Sequence, residues 1–462
     1  MQLLVVAAFV LIFLREESGW PARSLAHPWW VPALFPACMA LVWLAADRYM
    51  RAQGVRIDRT GDHRAVRRAF AAGRVARGVG LALHAGAVLG LDWLGAVRAV
   101  VGDLVAVDEV LAATPMLVLI VLTWWSEFPI DRRLREAGVL ANLERDPSAV
   151  TLPARRQYLL SAIRNTMGLT LVPIVAITGW EELAERVAGR LAVDHHAALL
   201  GARLVGVALV LLLMPAAAVR LWDTVPLGAG PLRDRLLDLA ALARVRVRNL
   251  LVWRTHMATI NGAVMGLVAP LRYVLLTDAL LGSLPLEQVR AVMAHELGHV
   301  RHRHLPWLLA GGLSILILSG YAAERAVAAL PGIRGDATDL AALVLSLALA
   351  FWAFGAISRR FERQADTFAA RLLSEAEGHA EVRPEAVVAM AGALETVALL
   401  NHIPADRHSW RHGSIRSRQA SLMALSGRAA DDLGPDRSAG RAKAAIALGC
   451  AAALTIVAFG GA

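Results

Sequence analysis

Residues 293–300 read Met-Ala-His-Glu-Leu-Gly-His-Val, and the two histidines of this stretch stand four positions apart. On a helix this spacing puts both side chains on one face, so the imidazoles of His295 and His299 can reach the same ion. Neutral imidazole is a common zinc ligand. Glu296 is placed where it can take a proton from a water that bound zinc activates. The stretch predicts a zinc site with Glu296 as catalytic base; a chance match in an Arg- and His-rich helix is the alternative.

A catalytic zinc site needs a third protein ligand, and residues 358–366, Ser-Arg-Arg-Phe-Glu-Arg-Gln-Ala-Asp, offer one. Glu362 and Asp366 are four positions apart and share a helix face with Ala369. We predict that Glu362 is the third metal ligand. We predict that Asp366 accepts a hydrogen bond from the N–H of a ligating imidazole and so fixes its tautomer. The alternative is a solvated, charged helix near a membrane.

Two further histidines follow the first pair, at positions 302 and 304. The longer zinc pattern H-E-x-x-H-x-x-G-x-x-H fails, because His302 stands where glycine is required and Leu305 where the third histidine is required. We therefore predict that His302 and His304 are polar residues at the mouth of the following membrane span and not metal ligands.

The chain as a whole is rich in apolar residues, with 57% hydrophobic and 19% charged residues. This composition is unusual for a soluble protein. The apolar residues cluster into runs, and a run of roughly 20 is what a bilayer core requires. The pattern predicts a mainly α, polytopic helical membrane protein. Nine spans are predicted, at about residues 2–14, 29–46, 79–92, 109–125, 164–180, 204–222, 306–328, 340–357 and 444–461.

Positive charge is unevenly shared between the loops that these nine spans define. With the N-terminus inside, the inner loops hold 38 Lys or Arg residues and the outer loops hold 7. This distribution follows the positive-inside rule, so the net charge of +10 is better explained by topology and anionic membrane lipid than by nucleic acid. The two cysteines exclude a disulfide framework and a Cys-rich zinc site.

The segment 223–305 differs from the spans in its pattern of apolar and polar residues. Residues 243–253 begin with alternating apolar and polar side chains, which is typical of a strand, and 258–266 and 271–277 indicate two more strands. Pro285 precedes a predicted helix over about 286–304. The sequence therefore predicts a small sheet that leads into the helix of the two histidines.

These motifs together resemble those of the membrane metallopeptidases that include the HtpX heat-shock protease and CAAX prenyl protease 1. The shared pattern is HELGH followed, across a transmembrane hairpin, by S-R-x-x-E-x-x-A-D, as found here at residues 295–299 and 358–366. An Asn-Ala-type edge strand of the family is similar to Asn261-Gly262-Ala263, with glycine in place of alanine. A later H-P-x-x-x-x-R element is similar to His412 through Arg418, with Gly413 in place of proline. The resemblance covers about residues 243–422.

The resemblance implies a gluzincin-like site with one Zn²⁺ per chain, facing the cytoplasm. The strand with Asn261, Gly262 and Ala263 would bind substrate main chain by strand addition. His412 would donate to the developing oxyanion, and Arg418 would brace the site or Glu362.

The predicted domains are an N-terminal membrane domain of about six spans, a cytoplasmic metallopeptidase domain and a C-terminal span. The metallopeptidase domain is expected to be zincin-like, α+β, and interrupted by a transmembrane hairpin at 306–357. The bounds of the three domains are 1–222, 223–443 and 444–462.

We expect a zinc-dependent endopeptidase that acts on membrane or unfolded proteins, in a bacterial inner membrane with its active site on the cytoplasmic side. Protein or peptide substrate and membrane lipid are the expected partners, and the sequence does not indicate an oligomeric state. Three alternatives stay open. They are cleavage of one specific signalling protein, CAAX-type C-terminal processing, and a regulatory scaffold; a transporter would need functional ionisable residues buried within spans.

Overall fold

The computed structural model forms two compact units, Met1–Asp223 and Thr224–Ala462. The residues that it describes are 1–18, 30–143, 154–190, 196–255, 259–329, 336–401, 403–429 and 434–459.

The elements described in the first unit are all helices. They are α1 Gln2–Ser18, α2 Trp30–Thr60, α3 His63–Ala85, α4 Trp93–Val101, α5 Val107–Leu143, α6 Arg155–Ala162, α7 Leu169–Arg190 and α8 His196–Leu221, with π-helical segments at Gly86–Gly90 and Ile163–Gly168. Its largest core is built mainly on α1, α2 and α5 and includes Phe9, Met39 and Met116. The long apolar runs of the sequence are the reason for these helices, because a helix satisfies its own backbone within a bilayer.

Among the described residues, seven helices are long and apolar enough to cross a membrane, which confirms the prediction of a mainly α, polytopic membrane protein. A bent pair, Arg64–Gly90 with Trp93–Val101, raises the number to eight if it is counted as one span. Nine spans were predicted, and seven or eight are found within the part of the chain that the structure describes. The predicted span at 2–14 is the helix α1, whose 17 residues reach only about 25 Å, short of a hydrocarbon core of about 30 Å.

Much of the predicted basic loop at 47–77 is helical, because α2 continues to Thr60 and α3 begins at His63. Arg77, within the same range, is buried in α3, and its Nη1 lies 2.9 Å from Oε1 of Glu127 on α5. Arginine density identified a polar segment here but not its conformation, since arginine is itself a good helix former.

The described residues of the second unit form a four-stranded sheet and eight further α-helices. The strands are β1 Thr224–Pro226, β2 Asn249–Trp253, β3 Gly262–Met265 and β4 Tyr273–Thr277. The helices are α9 Pro231–Leu242, α10 Asp278–Ser283, α11 Leu286–Arg301, α12 His304–Ala328, α13 Asp336–Ala376, α14 Pro384–Leu400, α15 Ile415–Met423 and α16 Gly434–Phe459.

The strand order is β1-β2-β4-β3, with β2 and β4 parallel and β3 antiparallel to β4. β3 therefore forms one edge of the sheet. The three predicted strands are present but shorter, and residue 258, the first of the second predicted strand, lies outside the described residues. The first begins only at residue 249, because α9 ends at Leu242 and Arg244 adopts a left-handed backbone with φ of 54°. The sequence analysis missed β1 and α9.

The hairpin of α12 and α13 separates the two motifs in sequence. α13 has 41 residues, which corresponds to a length of roughly 60 Å, about twice what a bilayer core needs. Its N-terminal half carries the apolar run, and its C-terminal half carries Glu362 and Asp366. One continuous helix thus links a predicted span to the candidate site.

Candidate active site

The helices α11 and α13 approach closely where the first motif has its glycine. A Cβ atom on Gly298 would lie 3.1 Å from Cδ1 of Phe368 and 3.2 Å from Cα of Ala365. Such contacts are tighter than ordinary van der Waals packing, so the glycine and the buried alanine allow the two helices to touch. The side chains one turn away on each helix then converge.

Three donor groups meet beside this contact. Nε2 of His295 lies 3.2 Å from Nε2 of His299, and these nitrogens lie 3.6 and 3.7 Å from the two carboxylate oxygens of Glu362. Among the described residues, this is the one group of three or more His, Cys, Asp or Glu side chains found to converge in the manner of a metal site. The structure thus brings together the three residues that the sequence proposes as ligands.

The geometry of this group fits a zinc ion. Two donors that bind zinc at about 2.0–2.1 Å with tetrahedral angles lie roughly 3.3 Å apart, close to the observed separations. Burial lowers the pKa of His299 to about 4, with the charge of His295 as a further cause. His299 is therefore neutral at pH 7, which is the form that binds metal. A carboxylate with two imidazoles is a donor set that zinc accepts.

The other ring nitrogen of His295 faces Asp366. Nδ1 of His295 is 3.0 Å from Oδ1 of Asp366, although the alignment falls short of a well-formed hydrogen bond. Burial alone would lower the pKa of His295, but the contact with Asp366 outweighs it and raises that pKa. Asp366 lies where the sequence analysis placed it, behind the first histidine.

Arg418 on α15 holds both acidic side chains of α13. It donates to Asp366 from Nε at 2.8 Å and from Nη2 at 2.6 Å, and its Nη1 lies 3.2 Å from Oε2 of Glu362. All three side chains are buried. Burial opposes the charge of Arg418, yet its pairing with Asp366 raises the pKa above the ordinary value. The bidentate pair orients the carboxylate of Asp366, and the contact from Nη1 orients that of Glu362.

His412 also contacts the predicted third ligand. Its Nδ1 lies 2.9 Å from Oε1 of Glu362, and its side chain is half exposed. Gly413, the next residue, has a φ of 74°, which glycine adopts readily. The structure therefore places His412 at the open side of the group and in contact with Glu362.

Glu296 lies between the donor group and the sheet edge. Its Oε2 accepts a hydrogen bond from the backbone N–H of Val264, at 3.3 Å. Burial raises the pKa of Glu296 to about 7, and the nearby charge of Glu362 adds to this while that of His295 opposes it. A carboxyl group with a pKa near 7 suits proton transfer in both directions.

The edge strand β3 passes directly over Glu296. Its register pairs Ala263 with Leu275 and Val264 with Val274. Thr277 donates to the carbonyl of Asn261, so the alternation of an antiparallel ladder turns the backbone groups of Gly262 and Val264 toward the free edge. Asn261 and Ala263 instead direct theirs toward β4. Val264 is thus a residue of this edge that the sequence analysis missed, because the motif ended one position before it.

His304 contacts the site as well as the following span. It is the first residue of α12, at the mouth of the candidate span as predicted, but it is buried, and its Nδ1 lies 2.9 Å from Nδ1 of His299. The predicted helix 286–304 ends at Arg301, and Arg303 has a left-handed φ of 54°. This corner turns His304 back toward the site, and helical periodicity across 299–304 gives no indication of it.

An apolar, membrane-crossing helical fold with this donor group and an adjacent glutamate defines a membrane metallopeptidase. Residues 226–418 match the family model described as Peptidase family M48. This match lies in the part of the chain that carries the motifs, and it confirms their resemblance to the membrane metallopeptidases of this family.

No curated protein matches the sequence. Eight chains of solved structures match it. One is the crystal structure of S. mikatae Ste24p, which is 15% identical, gives a TM-score of 0.49, and covers 87% of this chain and 99% of that chain.

Proposed function

We propose that this protein is a zinc-dependent endopeptidase that hydrolyses peptide bonds of membrane or unfolded proteins at the cytoplasmic face of the membrane. The observation that carries the proposal is the joint placement of the donor group, Glu296 and the free edge of β3. The donor atoms lie within 4.8 Å of one another, and Glu296 contacts the edge strand itself. A substrate strand paired with β3 would therefore run past both.

His295, His299 and Glu362 would hold one zinc ion. When bound, the ion would supply a Lewis acid that activates a water and polarises a peptide carbonyl. Glu296 would take the proton of the attacking water and then pass it to the leaving amine. The half-exposed His412 would donate to charge that develops on the carbonyl oxygen, while Arg418 would keep Glu362 in place.

In this proposal the protein recognises the main chain of its substrate. Strand addition uses backbone hydrogen bonds, which are the same for every sequence, so β3 suits unfolded or extended segments. The excess of arginine in loops on one predicted side of the membrane supports a cytoplasmic site. Cleavage of a single signalling protein or of prenylated C-termini would use the same residues, and would differ in which substrates are cut.

Removal of the metal should abolish cleavage. We expect purified full-length protein in liposomes to degrade an unfolded fluorescent substrate, to lose at least about 90% of this rate when treated with a zinc chelator, and to recover it when zinc is added. The measurement is the initial rate of fluorescence release. A rate that persists after chelation, with zinc shown to be absent by mass spectrometry, would contradict the proposal.

Glycine at position 262 should be required for substrate binding. A Cβ there would lie 2.6 Å from Cγ1 of Val292 and 3.8 Å from Cγ of Glu296. Gly262→Ala should displace β3 from α11 and reduce kcat/KM by roughly 10-fold, since such overpacking costs about 1–3 kcal/mol. Zinc content should be unchanged.

The double variant Gly262→Ala with Val292→Ala is the matched control, because it removes the atom that the new methyl group would meet. It should recover most of the lost kcat/KM. A double variant as impaired as the single one would show that the clash with Val292 is not the cause.

A further inference from the structure

A line of hydrogen-bonding side chains leads away from His299 and into the interior of the second unit. Nδ1 of His299 lies 2.9 Å from Nδ1 of His304, and Nε2 of His304 lies 3.0 Å from Oε1 of Gln364. Nε2 of Gln364 donates to Oδ1 of Asp436 at 2.7 Å. The line joins α11 to the start of α16 through α12 and α13.

The direction of every hydrogen bond in this line follows from its last member. A carboxylate only accepts, so the amide nitrogen of Gln364 must face Asp436 and the amide oxygen must face His304. Nε2 of His304 must then carry the proton, which leaves its Nδ1 as an acceptor in the neutral ring. His299 consequently donates from Nδ1, and its Nε2 presents a lone pair to His295 and Glu362.

This line is built into the protein interior. His304 is 1% exposed and Gln364 is 4% exposed. The ring of His304 stacks on Phe361, with centroids 4.4 Å apart and an angle of 6° between the planes. The left-handed backbone of Arg303, with φ of 54°, is strained for a residue with a Cβ. Strain of this kind persists where the surrounding contacts fix the conformation.

We propose that His304 and Gln364 are positioning residues that hold His299 in the tautomer and ring orientation required to bind zinc. The proposal rests on the proposed function, because it concerns a ligand of the same ion. The two imidazoles of the site then differ in the group that contacts Nδ1. Nδ1 of His295 faces Asp366, whereas Nδ1 of His299 faces the neutral ring of His304, which Asp436 orients through Gln364.

Zinc affinity of the purified full-length chain tests this proposal. His304→Phe retains an aromatic ring against Phe361 but removes the acceptor for Nδ1 of His299. We expect its zinc Kd, measured by competition with a chromogenic chelator, to rise about 10- to 100-fold. His304→Asn offers an oxygen near the position of Nδ1 and should bind zinc within about threefold of the wild type.

A matched control lies two positions away. The ring of His302 stacks on that of His304, with centroids 5.7 Å apart, and also contacts Phe368, but Nε2 of His302 forms no hydrogen bond with the line. His302→Phe keeps an aromatic ring at this position and should leave the zinc Kd unchanged. The apo forms of all variants should unfold within a few degrees of the wild type, because the proposed role concerns metal binding. Gln364→Met, which removes the acceptor for Nε2 of His304, should also weaken zinc binding, and it provides the comparison if His304→Phe does not fold.

The outcomes separate the two proposals. Wild-type zinc affinity in both His304→Phe and Gln364→Met would overturn the positioning role and leave the proposed function intact. An equal loss of affinity in His304→Phe and His304→Asn would also overturn it, because the acceptor would then not be the cause. A wild-type chain that does not bind zinc would overturn both proposals.

Discussion

Glu296→Gln should retain zinc and lose at least about 100-fold of its peptidase activity, within the range of 10²–10⁴ that general acid–base catalysis contributes. The amide has the shape of the carboxylate, and its oxygen can still accept the hydrogen bond from Val264. It cannot take a proton from water. Zinc content by mass spectrometry and the rate of cleavage of an unfolded substrate are measured on the same preparation.

A second glutamate on α11 provides the control. Glu287 lies in the first turn of the helix and pairs with Arg290, with Oε2 of Glu287 2.6 Å from Nη1. Glu287→Gln removes the same charge from the same helix and should leave both zinc and activity unchanged. Wild-type activity in the Glu296→Gln protein would remove Glu296 from the reaction.

The sequence predicted the part of the site that depends on one helix at a time. The spacing of His295 and His299 and that of Glu362 and Asp366 determine which side chains share a face, whatever surrounds the helix. The resemblance to a family added that the two faces meet. The physical cause of the meeting, the approach of Gly298 to Ala365, depends on packing between segments that are far apart in the sequence.

His304 shows why other parts of the site could not be predicted. Its position depends on a corner at Arg303, where a non-glycine residue adopts a left-handed backbone against its own preference. Its partners Gln364 and Asp436 occupy positions that no short-range pattern connects.

The predicted lengths of the strands were wrong for a related reason. Hydrophobic periodicity identified β2, β3 and β4, but it did not show where a neighbouring helix ends. The residues before β2 follow α9, so their apolar side chains Ala243 and Val245 are buried without being part of a strand. In the first unit, composition identified the apolar runs. It did not show where the helices end, because helices such as α2 continue beyond the apolar run into an arginine-rich segment.

Replacement of Glu362 by alanine should reduce bound zinc from about one per chain to well below 0.2, since two imidazoles alone do not make a closed protein site. A second effect acts in the same direction. Arg418 lies 3.2 Å from Glu362, and without that carboxylate its positive charge would be less screened from the cation. Zinc per chain is measured after dialysis against a weak chelator.

Glu375, near the C-terminal end of the same helix and exposed, is the matched control. Glu375→Ala should bind zinc as the wild type does. Because Arg418 keeps its bidentate pair with Asp366, the Glu362→Ala protein should remain folded, so the loss of zinc would report on the ligand and not on unfolding. Full zinc content in folded Glu362→Ala protein would require another ligand, and the half-exposed His412 would then be the first residue to test, because it already contacts Glu362.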